Sequence, residues 1–271
     1  MKPVRAEDAL QGNAAGVTVV TSGSPGAKPT VLIRGIPSYS GTDPLVVIDG
    51  TFQTLDDLNA LNPADIQSMS VLKDAAMTSI YGVKGGNGVI VVKTKSGSRN
   101  TKTKYSFDAY YGVQEVAKTM DVLNATEYAA ILNEASVNSG GDLIFQDISG
   151  LGEGTDWQNE VLQAAPIQQY NFTASGGSDT SNFFTSVGYL SQEGVVYGGD
   201  KSFFDRLNLT ANFTQDLNES TKLIINTSYA NIQNAGLPEN SITSVLSNAL
   251  NFDPTIAPYD ENGNLSTSDN I

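Results

Sequence analysis

The chain has 271 residues, a formal net charge of −14, and neither cysteine nor histidine. Those absences exclude thiol chemistry, disulfides, Cys/His zinc sites and a Ser-His-Asp triad, and the acidity argues against non-specific nucleic-acid binding. Hydrophobic residues make up 39% of the chain. No apolar run reaches the ~18 residues of a transmembrane helix, although strands that alternate across a bilayer average to the same modest hydropathy.

The start, MKPVRAEDALQGNAAG, lacks the apolar segment of a leader peptide. Ala6 to Leu10 is helix-prone, Gly12 to Gly16 breaks it, and Val17, Val19 and Val20 begin a strand. Residues 22–29 are turn-rich, Val31 to Ile33 is a short strand ending at Arg34-Gly35, and 39–43 is loop. Leu45 to Ile48 reads as a buried strand closed by the turn signal Asp49-Gly50. Asn62 is placed to cap a turn with Pro63 at its first position.

Residues 65–97 divide into strand, helix, glycine turn and strand. Met69 and Val71 alternate with serines; Asp74 is expected to cap a helix through its side-chain oxygen; Gly82 is expected to stop that helix after Tyr81. Gly85, Gly86 and Gly88 permit a tight turn, and Val89 to Val92 is a β-branched run suited to a strand buried on both faces. These elements predict a compact α+β domain over 1–97, with 98–104 as a linker.

Beyond the linker the period becomes two. Alternating segments fall at 105–113, 170–176, 183–190, 207–213 and 223–229, each placing one face in an apolar medium and the other in a polar one. The connections run long, short, long, short, long: 118–166, 178–181, 192–201, 216–220 and 235–271. Short turns on one side and long loops on the other suit a transmembrane barrel. Asn124 and Glu127 form a capping box for a helix in the first long loop. Phe183-Phe184 and Phe203-Phe204 read as membrane-interface aromatics.

The motifs in the first domain resemble the plug signature of SusC/RagA-like TonB-dependent outer-membrane transporters. The matching pieces are IRG at 33–35, PLVVIDG at 44–50, VLKDA at 71–75, IYG at 80–82 and NGVI at 87–90 with its lysine-threonine tail. Gly85-Gly86, Lys84 and Thr51-Phe52-Gln53 depart from the usual pattern. The resemblance implies an α+β plug domain followed by the first five antiparallel strands of an incomplete transmembrane β-barrel in the Gram-negative outer membrane. It implies import of glycan oligosaccharides or peptides and no enzymatic chemistry. The implied partners are a SusD-like surface lipoprotein, TonB, outer-membrane lipid and further barrel strands. The family's chains begin well upstream, so Met1 is expected to be an internal boundary or an artificial start. The implied structural and gating residues are Arg34, Gly35, Asp49, Gly50, Lys73, Asp74, Tyr81, Gly82, Asn87 and Gly88. Arg34 would be held by acidic residues of the barrel wall, or else is a surface-paired strand-end arginine.

Other constellations carry less. The turn at 85–88 precedes a strand and lacks the Gly-Lys-Ser/Thr of a phosphate loop. Asp260, Asn262 and Asn264 begin like a calcium loop, but Leu265 and Ile271 occupy positions that need glycine and glutamate. Lys93, Lys95, Arg99, Lys102 and Lys104 read as a solvated basic face, Asp56-Asp57 as a turn, and Asn208 as a glycosylation pattern without meaning in a bacterial barrel. No cofactor is expected. The alternative function is a soluble or surface-attached β-rich binding module that reuses the plug without transport. The outer faces of the strands discriminate: a barrel leaves them apolar and uncovered.

Overall fold

The computed structural model describes residues 4–20, 23–33, 35, 43–198, 201–238, 244–260 and 262–266. Contacts divide the chain into two units. The first comprises 1–113, 166–193 and 203–236; the second comprises 114–165, 194–202 and 237–271.

In the first unit, a 3-10 turn at Glu7–Leu10 precedes the antiparallel pair β1 (Val17–Val20) and β2 (Thr30–Ile33). β3 (Leu45–Ile48), β4 (Thr51–Gln53), β5 (Ile66–Leu72) and β6 (Val89–Thr94) form a sheet in the order β4-β3-β6-β5. β3 and β6 are central and parallel, which explains their nearly continuous β-branched sequence. Asp49 and Gly50, both at positive φ (49° and 85°), turn β3 into β4, the backbone that a two-residue hairpin loop requires.

Three sequence expectations change here. Residues 55–60 form a helix, α1 (Leu55–Ala60), where only a turn was expected. Thr54 and Asp57 close a capping box, so Asp57 serves a helix N-terminus. Asp74 sits at the N-cap of α2 (Ala75–Thr78), but its side chain makes no capping hydrogen bond; its carbonyl accepts from the Met77 and Thr78 amides instead. Gly82 (φ 62°, ψ −150°) kinks the 3-10 stretch Ser79–Gly85 rather than ending an α-helix.

The core of this α+β layer is apolar and its own. Val31, Val46, Leu58 and Ile90 are fully buried, packed with Ala6, Leu10, Val19, Ile33, Leu55, Leu61 and Val92.

β7 (Thr101–Gln114), β8 (Ala165–Gly177), β9 (Ser181–Glu193), β10 (Phe203–Asn218) and β11 (Thr221–Ala235) form one antiparallel sheet in sequence order. Every strand outruns the alternating segment that revealed it. β7 takes in Lys102 and Lys104, which had been placed in the linker. An apolar alternation marks only the stretch with an apolar medium on one side.

The outer face carries Tyr170, Phe172, Val187, Tyr189, Leu207, Leu209, Phe213, Leu223, Ile225 and Tyr229, all exposed, and β7 adds Tyr105, Phe107 and Tyr111. On β8, β9 and β10 the opposite face is largely polar and is buried against the first layer. This inverts a soluble protein, in which the apolar face is the covered one. Phe184 and Phe204 are nearly fully buried on the inner face, so only Phe183 and Phe203 of those two pairs share the outer face, because neighbours in a strand point opposite ways.

The second unit consists of the long connections. α3 (Ala125–Asn138) has the expected Asn124–Glu127 capping box. α4 (Trp157–Val161) is capped by Asp156, and Trp157 packs edge-to-face on Phe252 while its Nε1 donates to the Asp253 carbonyl at 2.9 Å, beyond the end of α5 (Val245–Asn251). Asp260 accepts from the Asn262 and Asn264 amides, both at 2.8 Å, as an ordinary polar turn would require. Among the described residues, no helix is long and apolar enough to cross a membrane.

Candidate functional site: the plug–wall seam

A ladder of polar residues on the inner face of β8, β9 and β10 holds the α+β layer. The strand period puts residues 204, 206, 208, 210 and 212 of β10 on this face, and the register aligns them with β9 and β8 in rows. Leu190 faces Arg206, Gly188 faces both Asn171 and Asn208, Ser186 faces Thr210, and Phe184 faces Asn212.

Each row takes hold of a different part of the layer. Arg206, buried, donates through Nη1 to the Asn59 carbonyl at 2.7 Å and through Nη2 to the Val4 carbonyl at 3.1 Å. Asn208 Nδ2 donates to the Ala60 carbonyl at 2.6 Å. The bonds to Asn59 and Ala60 satisfy carbonyls at the C-terminal end of α1 that the helix cannot satisfy itself, with a cation where the helix dipole favours one. In the same row as Asn208, Asn62 Nδ2 donates to Asn171 Oδ1 at 2.8 Å, while Asn62 Oδ1 caps its own turn at the Ala64 amide. Gly188 is required here, because a Cβ would strike the Asn62 amide.

Asp65, wholly buried, accepts through one oxygen from Ser186 Oγ and Thr210 Oγ1, both at 2.6 Å. At the last row Asn212 Nδ2 donates to Thr94 Oγ1 and to the Lys95 carbonyl, both at 2.8 Å. Gly97 then lies flat across the strands: its carbonyl accepts from Asn182 Nδ2, and a Cβ would collide with the Phe183 and Gly176 carbonyls. Arg99 pairs with Asp216 at 2.5 Å.

Two of the residues singled out in the sequence reach this seam or its support. Asp49 accepts from the Thr94 amide at 2.9 Å and from Thr94 Oγ1 at 2.5 Å, so it orients the hydroxyl that Asn212 grips. Gly50 completes its turn. The others serve the layer itself. Gly88 (φ 91°) leaves no room for a Cβ, which would sit 2.7 Å from Ile33 Cδ1. Tyr81 packs edge-to-face on Phe52. Lys73 Nζ donates to the Ala15 carbonyl at 2.5 Å, and Asn87 Nδ2 to the Asp43 carbonyl at 3.4 Å. Asp74 and Gly82 shape the kinked helix, and Gly35 (φ 89°) is exposed. Arg34 lies outside the described residues. The sequence does not single out the seam residues Asp65, Asn171, Ser186, Arg206 and Asn212; the visible signal is the polar alternation of Asn208, Thr210 and Asn212, which reads only as a polar face, with Arg206 just outside it.

Polar hydrogen bonds join the two layers along most of the seam, with one small apolar contact where Val4 meets Ile167, Leu190 and Phe204; the main apolar core of the first layer lies elsewhere. That arrangement defines a plug seated on a barrel wall. Residues 2–89 match the TonB-dependent Receptor Plug Domain. The chain is 35% identical over 273 residues to a TonB-dependent receptor of Formosa agariphila, covering 98% of this chain and 27% of that protein. It is 32% identical over 266 residues to the TonB-dependent receptor SusC of Bacteroides thetaiotaomicron, covering 94% and 25%. Among solved structures it is similar to the RagAB peptide importer in its closed-closed state, with a TM-score of 0.83, 28% identity, and coverage of 98% of this chain and 33% of that one. The ferric enterobactin receptor of Pseudomonas aeruginosa shares the fold at a TM-score of 0.53 and 12% identity, with coverage of 84% and 31%. The chain is a SusC/RagA-like TonB-dependent receptor sequence over its plug and first wall strands. It spans about a quarter of the length of these curated relatives, which as TonB-dependent receptors are outer-membrane β-barrel proteins.

Proposed function

We propose that this chain supplies the plug and the first five wall strands of an outer-membrane importer for nutrients too large for porins, glycan oligosaccharides or peptides. TonB draws the plug off the wall, a SusD-like surface lipoprotein covers the outer loops, and further strands and lipid complete the surroundings of the sheet. The protein performs no covalent chemistry. The observation that carries this reading is the separation of the plug's apolar core from its polar seam. A seam of hydrogen bonds, each worth about 1 kcal/mol net, can be handed over to water, whereas an apolar interface cannot. The plug can therefore part from the wall without opening its own core.

The motif residues take their roles from this. Asp49 and Gly50 orient Thr94 at the seam; Gly35, Lys73, Asp74, Tyr81, Gly82, Asn87 and Gly88 keep the plug rigid as it moves. The apolar, uncovered outer face favours the importer over the binding module. The test is uptake of labelled oligosaccharides and peptides by cells carrying the complete protein, with and without TonB. Uptake of one class that vanishes without TonB is expected; uptake that persists unchanged without TonB would refute the reading.

A further inference from the structure

Arg206 does more than cap α1. Its two bonds join segments far apart in sequence, Val4 and Asn59. Val4 also packs on the small apolar cluster of Ile167, Leu190 and Phe204 on the wall, whereas Ala6 and Leu10, a few residues on, belong to the plug core. The segment from Val4 to Glu7 thus staples plug to wall. Beside it lies Glu7, with no exposed surface and with neither carboxylate oxygen hydrogen-bonded among the described residues. The Nε atoms of Arg5 and Arg206 are likewise buried and unpartnered. A native structure seldom leaves a buried carboxylate without partners unless it has a use or keeps its proton.

We propose that Arg206 and Glu7 form a proton-sensitive clasp: the plug's first turn stays fastened to the wall while Glu7 holds a proton, and is released when Glu7 loses it. The groups that act on Glu7 are Arg5 and Asp8 on its own turn and Arg206 from β10, with Asp65 acting on Arg206 in turn. Burial pushes the Glu7 carboxyl from 4.5 up to about 7; the charges of Arg5 and Arg206 pull it back only in part. The seated state therefore binds the proton more tightly than the released state. Its added stability is full below pH 4.5 and is lost as pH rises through about 7. The clasp goes beyond the import reading and does not depend on TonB.

The absence of native cysteine permits a clean probe. Leu190, buried beneath Val4 and making none of the seam's side-chain hydrogen bonds, is replaced as Leu190→Cys in the complete protein in detergent. Maleimide labelling is followed against pH and normalised to Val83→Cys, a fully exposed position. With Glu7 at about 7 when seated and 4.5 when released, normalised labelling should rise roughly thirtyfold between pH 5.5 and 8. Adding Glu7→Gln, which mimics the protonated carboxyl, should hold labelling at the low-pH level throughout. Adding Arg206→Met should raise it at every pH. A pH response that survives Glu7→Gln, or no response in the unmodified clasp, would overturn the proposal. TonB-independent uptake would refute the import reading and leave the clasp standing.

Discussion

Gly88 shows what one residue must do where two layers of the plug meet. It enters β6 at φ 91°, and its missing Cβ is the space that Ile33 occupies. Gly86, two residues earlier, has an ordinary helical φ of −59° and a Cβ contact of 3.2 Å with a carbonyl. Gly88→Ala is therefore expected to cost on the order of 1 kcal/mol or more, through both backbone strain and the clash, and Gly86→Ala clearly less. Thermal melting of the two variants checks this. Equal melting points would refute the tight-turn argument.

At the scale of elements, the plug is predicted to fold by itself. Its core draws on β1, β2, β3, β6 and α1 and on no wall residue. Residues 1–97 expressed alone should give a cooperative thermal transition by circular dichroism; a coil-like, non-cooperative signal would refute the boundary. Much of this domain was legible. β3 and β6 announced themselves by β-branched runs, and the Asp49-Gly50 turn by its residue types. α1 was not, because LDDLNA is too short to show a helical period and its capping box uses aspartate at the third position. The wall strands were legible only in their middles, where lipid-type alternation applies. The seam was not, because hydrogen-bond partners such as Asp65 and Thr210 lie 145 residues apart, and nothing local distinguishes an inward asparagine that grips a plug from one that faces water.

For the molecule as a whole, the two faces of the wall make opposite demands. Leu209 is exposed on the outer face, between Asn208 and Thr210, which are buried on the inner one. Leu209→Arg should disfavour assembly by ~2–4 kcal/mol if the site lies near the bilayer midplane, seen as loss of folded protein from the outer membrane. Wild-type assembly would contradict a lipid-facing wall.

The central claim is that the plug parts from the wall at the polar seam during import. A Cβ built at Gly188 lies 3.3 Å from Cγ of Asn62, the position that the sulfur of a cysteine at 62 would take, which suits the short reach from one Cβ to the far sulfur of a disulfide. The pair Asn62→Cys with Gly188→Cys, made in the complete protein, should block TonB-dependent uptake when oxidised while leaving substrate binding intact, and reductant should restore uptake. Full uptake with the disulfide formed would mean that the plug does not leave the wall along this seam.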